Sequence, residues 1–518
     1  MKFSFPILKR SVFKTNLPLF GLTAGIMGVL SAPAFARDLA PLQVQPTPYC
    51  QASEQVIAQK ENFRKAALQG NQTAQNQYQA ALAQDAETLR QCRSQTWPAV
   101  QAIWLRLYPC DIQPGVLDDL MDRIVNKGYN RVYVEVFYDG QVLLPGTDNP
   151  TVWTPVVRSG EDLLAQAIQK GHERGLKVYA WLFSMNFGAN YGQRPDRQTV
   201  LARNGRGQTS LDIGQDISLS TDLSTLELDK AFIDPYNLQA RQDYQQLVQA
   251  VAQRRPDGML FDYIRYPRQS GSASIATKVK DLWIYGEASK QTLYQRALND
   301  KGLEFIRRFV EQGTITSKDM AEVDQLYPNE REPLWQNRKS SGSLSRAQLL
   351  QDLWILSAAH AYQGVTDFLA AAAQPAQQQG IATGAVFFSD GNRSVGRGFD
   401  SRMQPWHYFP SSLEWHPMSY ALCGNTNCIV NQVQTVLKEA PQGAQVSPAL
   451  AGQWGKVMAG NRPTLEAQMN AIHEAAPKIN MVSHFAFSWQ NPQLDQTRRA
   501  CSLPQQYGET SSPQVSAK

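Results

Sequence analysis

The stretch Pro256-Asp257-Gly258-Met259-Leu260-Phe261-Asp262-Tyr263-Ile264-Arg265-Tyr266-Pro267 decides how this chain is read. A turn gives way to a short apolar run, the run ends on an acid, and a loop rich in Tyr, Arg and Pro follows. An unpaired carboxylate is expensive in a core. It belongs at the end of a buried strand only where that end meets solvent or substrate. An α/β barrel is built that way, with its active site at the C-terminal mouth of the strands. Asp262 is therefore the first catalytic candidate.

Outward from this segment, strand-like runs alternate with helical ones. The predicted strands are Ile103–Tyr108, Arg131–Phe137, Lys177–Phe183, Gly258–Ile264, Thr383–Phe388, Leu413–Tyr420, Gln445–Leu450 and Met481–Trp489. Helical patterns precede most of them. Glu161–Arg174 stops at Gly175, a C′ glycine leading straight into Leu176-Lys177-Val178. Eight strands with intervening helices are the count and order of a (β/α)8 TIM barrel. The alternative, a doubly wound open sheet, lacks a Gly-rich phosphate loop after its first strand. The barrel is expected over 101–501. Between strands four and five lies a long helical excursion, Arg268 to Gly380, in which Gln348–Ala371 fits the regular barrel helix. The remainder, about 268–345, reads as an insertion at the active-site end. Its capping boxes are Thr316 with Asp319 and Ser345 with Gln348, and Lys339–Ser343 reads as an exposed linker. Upstream, within 37–100, a Gln- and Ala-rich segment turning at Gly70-Asn71 predicts a polar helical hairpin, a brace on the barrel.

The chain has 518 residues, 42% hydrophobic and 18% charged, a globular composition. Its first 36 residues read as a signal peptide. Lys2, Lys9, Arg10 and Lys14 precede an apolar run from Leu17 to Leu30, and Ala34-Phe35-Ala36 supplies an A-x-A cleavage site. The run is short for a membrane span, which needs about 20 residues. The expected location is periplasmic or secreted, with no membrane span after cleavage. The formal charge of +5 falls to near +1 once these four basic residues are removed. There is no basic stripe, so nucleic acid is not an expected partner. The tail 502–518 is polar and expected to be disordered.

Six cysteines, an even count in an exported chain, predict disulfides. Fifteen connectivities are possible from sequence. The preferred set is Cys50–Cys92, tying the hairpin; Cys110–Cys501, joining the ends of the first and last strands, neighbours in a closed barrel; and Cys423–Cys428, closing a tight loop. Zinc is a poor alternative, since there is no CxxC pair and His is scarce. No metal or cofactor is expected. HExxH, Gly-x-Ser-x-Gly and phosphate-loop motifs are all lacking.

Several of these segments resemble the glycosyl-hydrolase-like barrels of family 10, a bacterial family long described as a domain of unknown function. The resemblance rests on Phe232-Ile233-Asp234-Pro235, Arg241, Asp257-Gly258, Phe261-Asp262-Tyr263 and Tyr266-Pro267. Ala102-Ile103-Trp104-Leu105-Arg106, Gly171-His172-Glu173-Arg174-Gly175, Ala180-Trp181 and Pro417-Met418-Ser419-Tyr420 extend it over about residues 100 to 490. It implies a retaining glycosidase in which the fourth-strand acid, here Asp262, is the nucleophile. It also implies bacterial glycans as substrates, including peptidoglycan strands stripped of peptide.

Glycoside hydrolysis needs two carboxyl groups, one ionised and one carrying a proton. The expected proton donor is Asp390, just past the fifth strand, although Asp390-Gly391 is also a strong turn pair. Glu135 lies mid-strand and needs a partner if buried. Arg106 on the neighbouring strand can supply it, and that structural pairing is the favoured reading. Asp139 begins the next loop, and Glu414 opens the sixth strand at the wrong end of the barrel. Candidate substrate-binding residues are Arg106, Tyr138, Trp181, Tyr263, Arg265, His416, Tyr420, His484 and Trp489, although a satisfied core role is the favoured reading of His484 and ligand binding its alternative. Trp406 and Trp454 are further aromatic candidates near strand ends. The resulting expectation is an exported glycosidase acting on a cell-wall or extracellular polysaccharide. The rival reading is a non-catalytic glycan-binding envelope scaffold.

Overall fold

The computed structural model describes residues 49–501, apart from 148, 217–229, 340–343 and 421–422. The expected signal peptide, the tail and most of the 339–343 linker lie outside the described residues.

The main sheet is built from β1 (Val100–Leu105), β2 (Arg131–Tyr138), β3 (Lys177–Phe183), β4 (Gly258–Asp262), β5 (Ala382–Phe387), β6 (Glu414–Pro417), β7 (Gln445–Val446), β8 (Ala449–Ala451) and β9 (Met481–Phe485). Its parallel order is β7-β6-β5-β4-β3-β2-β1-β9-β8. The two end strands are halves of one stretch, parted only by Ser447 and Pro448. Ser447 N–H donates to Trp415 O on one side, and Ser483 N–H donates to Pro448 O on the other. The sheet thus curls round until its ends meet, a TIM-barrel-like fold. The strands are rich in β-branched and aromatic residues and buried on both faces, as strands covered by helices must be.

The helices used below are α1 (Glu54–Leu68), α2 (Gln72–Gln95), α3 (Val116–Asn126), α4 (Leu163–His172), α5 (Leu238–Ala252), α6 (Glu287–Tyr294), α7 (Asp300–Gln312), α8 (Ser317–Leu326), α9 (Arg346–Gln378), α10 (Thr426–Glu439), α11 (Leu465–Ala475) and α12 (Pro492–Ala500). Gly175, at φ +70°, ends the turn after α4 as a left-handed residue should. Thr316 and Asp319 cap α8 reciprocally. Helices α6–α8 form the excursion, while α9 packs against α5 in the barrel's outer layer. No long helix separates β5 from β6. The chain there forms two short strands, Ser394–Val395 and Gly398–Asp400, and the second pairs with Ile275–Ala276 of the excursion. Another departure follows β2. Asp139-Gly140, both at positive φ, turn the chain into an antiparallel strand, Gln141–Pro145.

Helices α1 and α2 dock on α3 through a buried polar knot. Asp122 accepts from Arg64 Nη1 (2.9 Å), Tyr78 Oη (2.8 Å) and Arg174 Nε (2.7 Å). Disulfides join Cys50–Cys92, Cys110–Cys501 and Cys423–Cys428, the preferred set, with Cα separations of 5.8, 6.1 and 6.1 Å. Among the described residues no helix is long and apolar enough to cross a membrane.

Candidate active site

Alternation along each strand sends every second side chain into the barrel. At the N-terminal end of the interior, Glu414 accepts from Arg131 Nη1 (2.8 Å) and Tyr179 Oη (3.0 Å). Burial pushes this carboxyl up, but the partners, including His416, outweigh it and hold it near 2. Above lies an aromatic layer. Trp104 meets Tyr133 and Trp181 edge-on, with ring centroids 4.7 and 4.9 Å apart, and its indole N–H donates to Ser483 Oγ (3.0 Å).

Asp262 closes β4 at the mouth and is only 7% exposed. Its Oδ2 accepts from Trp181 Nε1 at 3.1 Å and its Oδ1 from the Tyr263 amide at 2.6 Å. Tyr263 itself adopts φ +54°, a left-handed conformation uncommon for a bulky residue. Burial raises the Asp262 carboxyl to about 6, opposed by the Tyr263 amide, Arg265, Trp181 and Lys230. Arg265 is buried. Its guanidinium lies 4.6, 5.4 and 5.6 Å from the rings of Tyr263, Phe232 and Phe388, and its Nη1 donates to Tyr266 O.

Glu135 is fully buried on β2 and forms a two-pronged ion pair with Arg106. Burial pushes its carboxyl up against the pull of Arg106, and Asp139 and Asp262 add to the push. The three acids therefore share one neighbourhood. Arg106 also lies 4.2 Å over the Tyr138 ring. Tyr420 packs on Phe485 (5.6 Å), and its hydroxyl is raised first by burial and then by Asp262. Trp489, partly exposed, meets Phe485 at 5.9 Å and carries Arg462 5.1 Å from its ring.

Around Asp262, then, gather Glu135, Trp181, Tyr263, Arg265 and Tyr420; Arg106 and Tyr138 adjoin Glu135, and Trp489 adjoins Phe485. The remaining expected residues are engaged with other partners. Asp390 sits on a turn with 55% of its side chain exposed, ion-paired with Arg402 at 3.0 Å. His416 is wholly buried inside the barrel, against Trp104 and Tyr133, with Nε2 3.2 Å from Glu414. It belongs to the interior polar layer rather than the mouth. His484 alternates with Ser483 and Phe485 and so faces outward. Its Nδ1 bonds the Tyr129 hydroxyl at 2.9 Å, and burial pushes it down to about 3. Its core role is the one realised. Trp454 packs beside it, and Trp406 stacks on Phe387 in the core. Trp181 is buried too, so it meets Asp262 as a hydrogen-bond donor and offers no open stacking face.

Three neighbours were not singled out from sequence: Lys230, Arg462 and Ser483. Lys230 and Arg462 fall in the loops after β3 and β8, on the side where barrels bind ligands, and that position was the available signal. Ser483 gave none.

No family model matches the chain, and no curated sequence does. The backbone is similar to those of several solved structures, glycoside hydrolases among them. A GH20 exo-β-N-acetylglucosaminidase from Vibrio harveyi, solved as an inactive mutant, aligns at 8% identity and TM-score 0.39, over 78% of this chain and 52% of that one. This chain thus spans about half the length of that enzyme. A GH18 chitinase from Pseudoalteromonas aurantia aligns at 8% identity and TM-score 0.35, over 77% and 99%. Ega3 of Aspergillus fumigatus, solved with galactosamine, aligns at 10% identity and TM-score 0.32, over 77% and 95%.

Proposed function

We propose that this chain is an exported glycoside hydrolase acting on a cell-wall or extracellular polysaccharide, including peptide-free peptidoglycan strands. The observation that carries the proposal is the Asp262 carboxyl, buried at the C-terminal end of β4, with Oδ2 accepting from the Trp181 indole and Oδ1 from the Tyr263 amide. The family 10 resemblance centres on the same residues. Three disulfides and the signal-like start support export to the periplasm or medium.

In this reading ionised Asp262 attacks the anomeric carbon, the glycosidic C–O bond breaks, and Asp390 gives its proton to the leaving oxygen. Water then attacks the glycosyl–Asp262 ester and returns a proton to Asp390, so configuration is retained. Asp390 must first leave Arg402, and its exposure leaves it room to turn. The Glu135–Arg106 pair forms the floor beside Asp262, while Tyr420 and Trp489 offer a hydroxyl and an aromatic face to the sugar.

The second reading is a glycan-binding scaffold without chemistry. The Asp390–Arg402 pair favours it, because it engages the expected proton donor with a guanidinium at 3.0 Å instead of leaving it free to face a glycosidic oxygen. The test is incubation of the purified protein with peptide-free glycan strands and a polysaccharide panel, read by mass spectrometry beside Asp262→Asn. Cleavage by wild type alone supports the hydrolase. Equal binding without cleavage in both supports the scaffold.

A further inference from the structure

The two oxygens of Asp262 are served differently. Oδ1 takes the amide of the next residue, a bond local to the chain. Oδ2 takes the Trp181 indole N–H from the adjacent strand, and that indole is itself constrained. Its ring is only 6% exposed and is bounded by Phe183 (5.7 Å), Phe485 (6.2 Å) and Trp104 (4.9 Å). Trp104 is tethered in turn by its own N–H to Ser483 on β9. A line of contacts therefore runs from Ser483 through Trp104 and Trp181 to the carboxylate, crossing the barrel interior.

Resting on the hydrolase reading, we propose that Trp181 is the positioning residue of the site. Its N–H fixes the plane of the Asp262 carboxylate and occupies Oδ2, and Trp104, anchored on Ser483, holds the indole in place. Trp181 then acts through Asp262 and does not stack on the sugar. The other charged or titratable groups facing Asp262 are Arg265, Lys230, Glu135, Tyr244 and Tyr420.

The test is Trp181→Phe in the full chain, with the Asp262 ionisation followed by carboxyl-carbon NMR of aspartate-labelled protein and assigned by difference from Asp262→Asn. Losing a donor to the charged form moves the midpoint upward from about 6. About one pH unit is expected, a tenfold change in the acid constant. If cleavage is measurable, the matching limb of its pH profile moves with it, and kcat falls about tenfold or more with KM nearly constant. If Trp181→Phe does not fold, the benzothiophene analogue of tryptophan at position 181 keeps the shape and removes only the N–H. A midpoint unchanged in either folded variant overturns the proposal. Failure of wild type to cleave any glycan sinks the hydrolase reading instead, and the NMR midpoint still decides whether Trp181 holds Asp262.

Discussion

Replacing Asp262 by Asn should change the stability of the protein in a way that depends on pH. Folding takes this carboxyl from 3.8 in the open chain to about 6. The folded state therefore prefers its neutral form. Below pH 3.8 the group is protonated whether folded or not and contributes nothing. As pH climbs from about 4 to 6 the unfolded chain ionises first, and stability is lost until the folded group ionises too. A gap of about 2 units, at about 1.4 kcal/mol each, makes that loss about 3 kcal/mol at pH 8. Asn carries no charge and avoids it, at a cost of about 1 kcal/mol for one mismatched donor. Asp262→Asn should thus be about 2 kcal/mol more stable than wild type at pH 8 and about 1 kcal/mol less stable near pH 4. Urea unfolding of both proteins from pH 4 to 8 measures this. Denaturation midpoints that differ by a constant amount across the range would refute the argument, because they would mean that burial does not raise Asp262.

Glu414→Ala should cost about 3–5 kcal/mol in urea unfolding, because Arg131 stays buried without its counter-charge; a double change to Arg131→Met with Glu414→Leu should recover most of it. Cys110→Ser should cost about 2–5 kcal/mol, the range for a disulfide closing a long loop, here 391 residues. An unchanged thermal midpoint under oxidising conditions would count against that linkage. Asp390→Ala should slow cleavage of natural glycan about 100-fold or more, yet spare an aryl glycoside whose leaving group needs no proton. Equal losses on both substrates would assign the proton to another group.

The parts of this structure that were legible in sequence are those governed by local or pairwise rules. The end of β4 at Asp262 was marked by an acid in an apolar run. The Glu135–Arg106 pair followed from the demand that a buried carboxylate find a cation on the next strand. Gly175 and the Thr316 cap were visible because helix ends use few residue types. One local signal was passed over: Asp139-Gly140 is a strong hairpin dipeptide, and it turns the chain from β2 back into the antiparallel strand Gln141–Pro145. The two histidines were illegible for a different reason. Both lie in strands buried on each face, so hydropathy does not say which residues point inward. Only the pairing, Ile103 with His484 and Val386 with His416, fixes His484 outside and His416 inside.

The same pairing explains why Asp262 is not a strongly acidic carboxylate despite the arginines around it. Arg106 is committed to Glu135. Arg402 is committed to Asp400 and Asp390. Arg265 donates to the Tyr266 carbonyl and lies among three aromatic rings, and its charge draws the Asp262 carboxyl down without overcoming burial. The Trp181 indole and the Tyr263 amide donate to the carboxylate as neutral groups, which orient it without cancelling its desolvation. Moving a cation into contact would lower the carboxyl and relieve the strain of burying it, at the expense of its basicity toward an incoming carbon. In the hydrolase reading, a carboxyl relieved in that way would be the more stable residue and the poorer nucleophile, so a site that leaves Asp262 raised to about 6 gives up stability for reactivity.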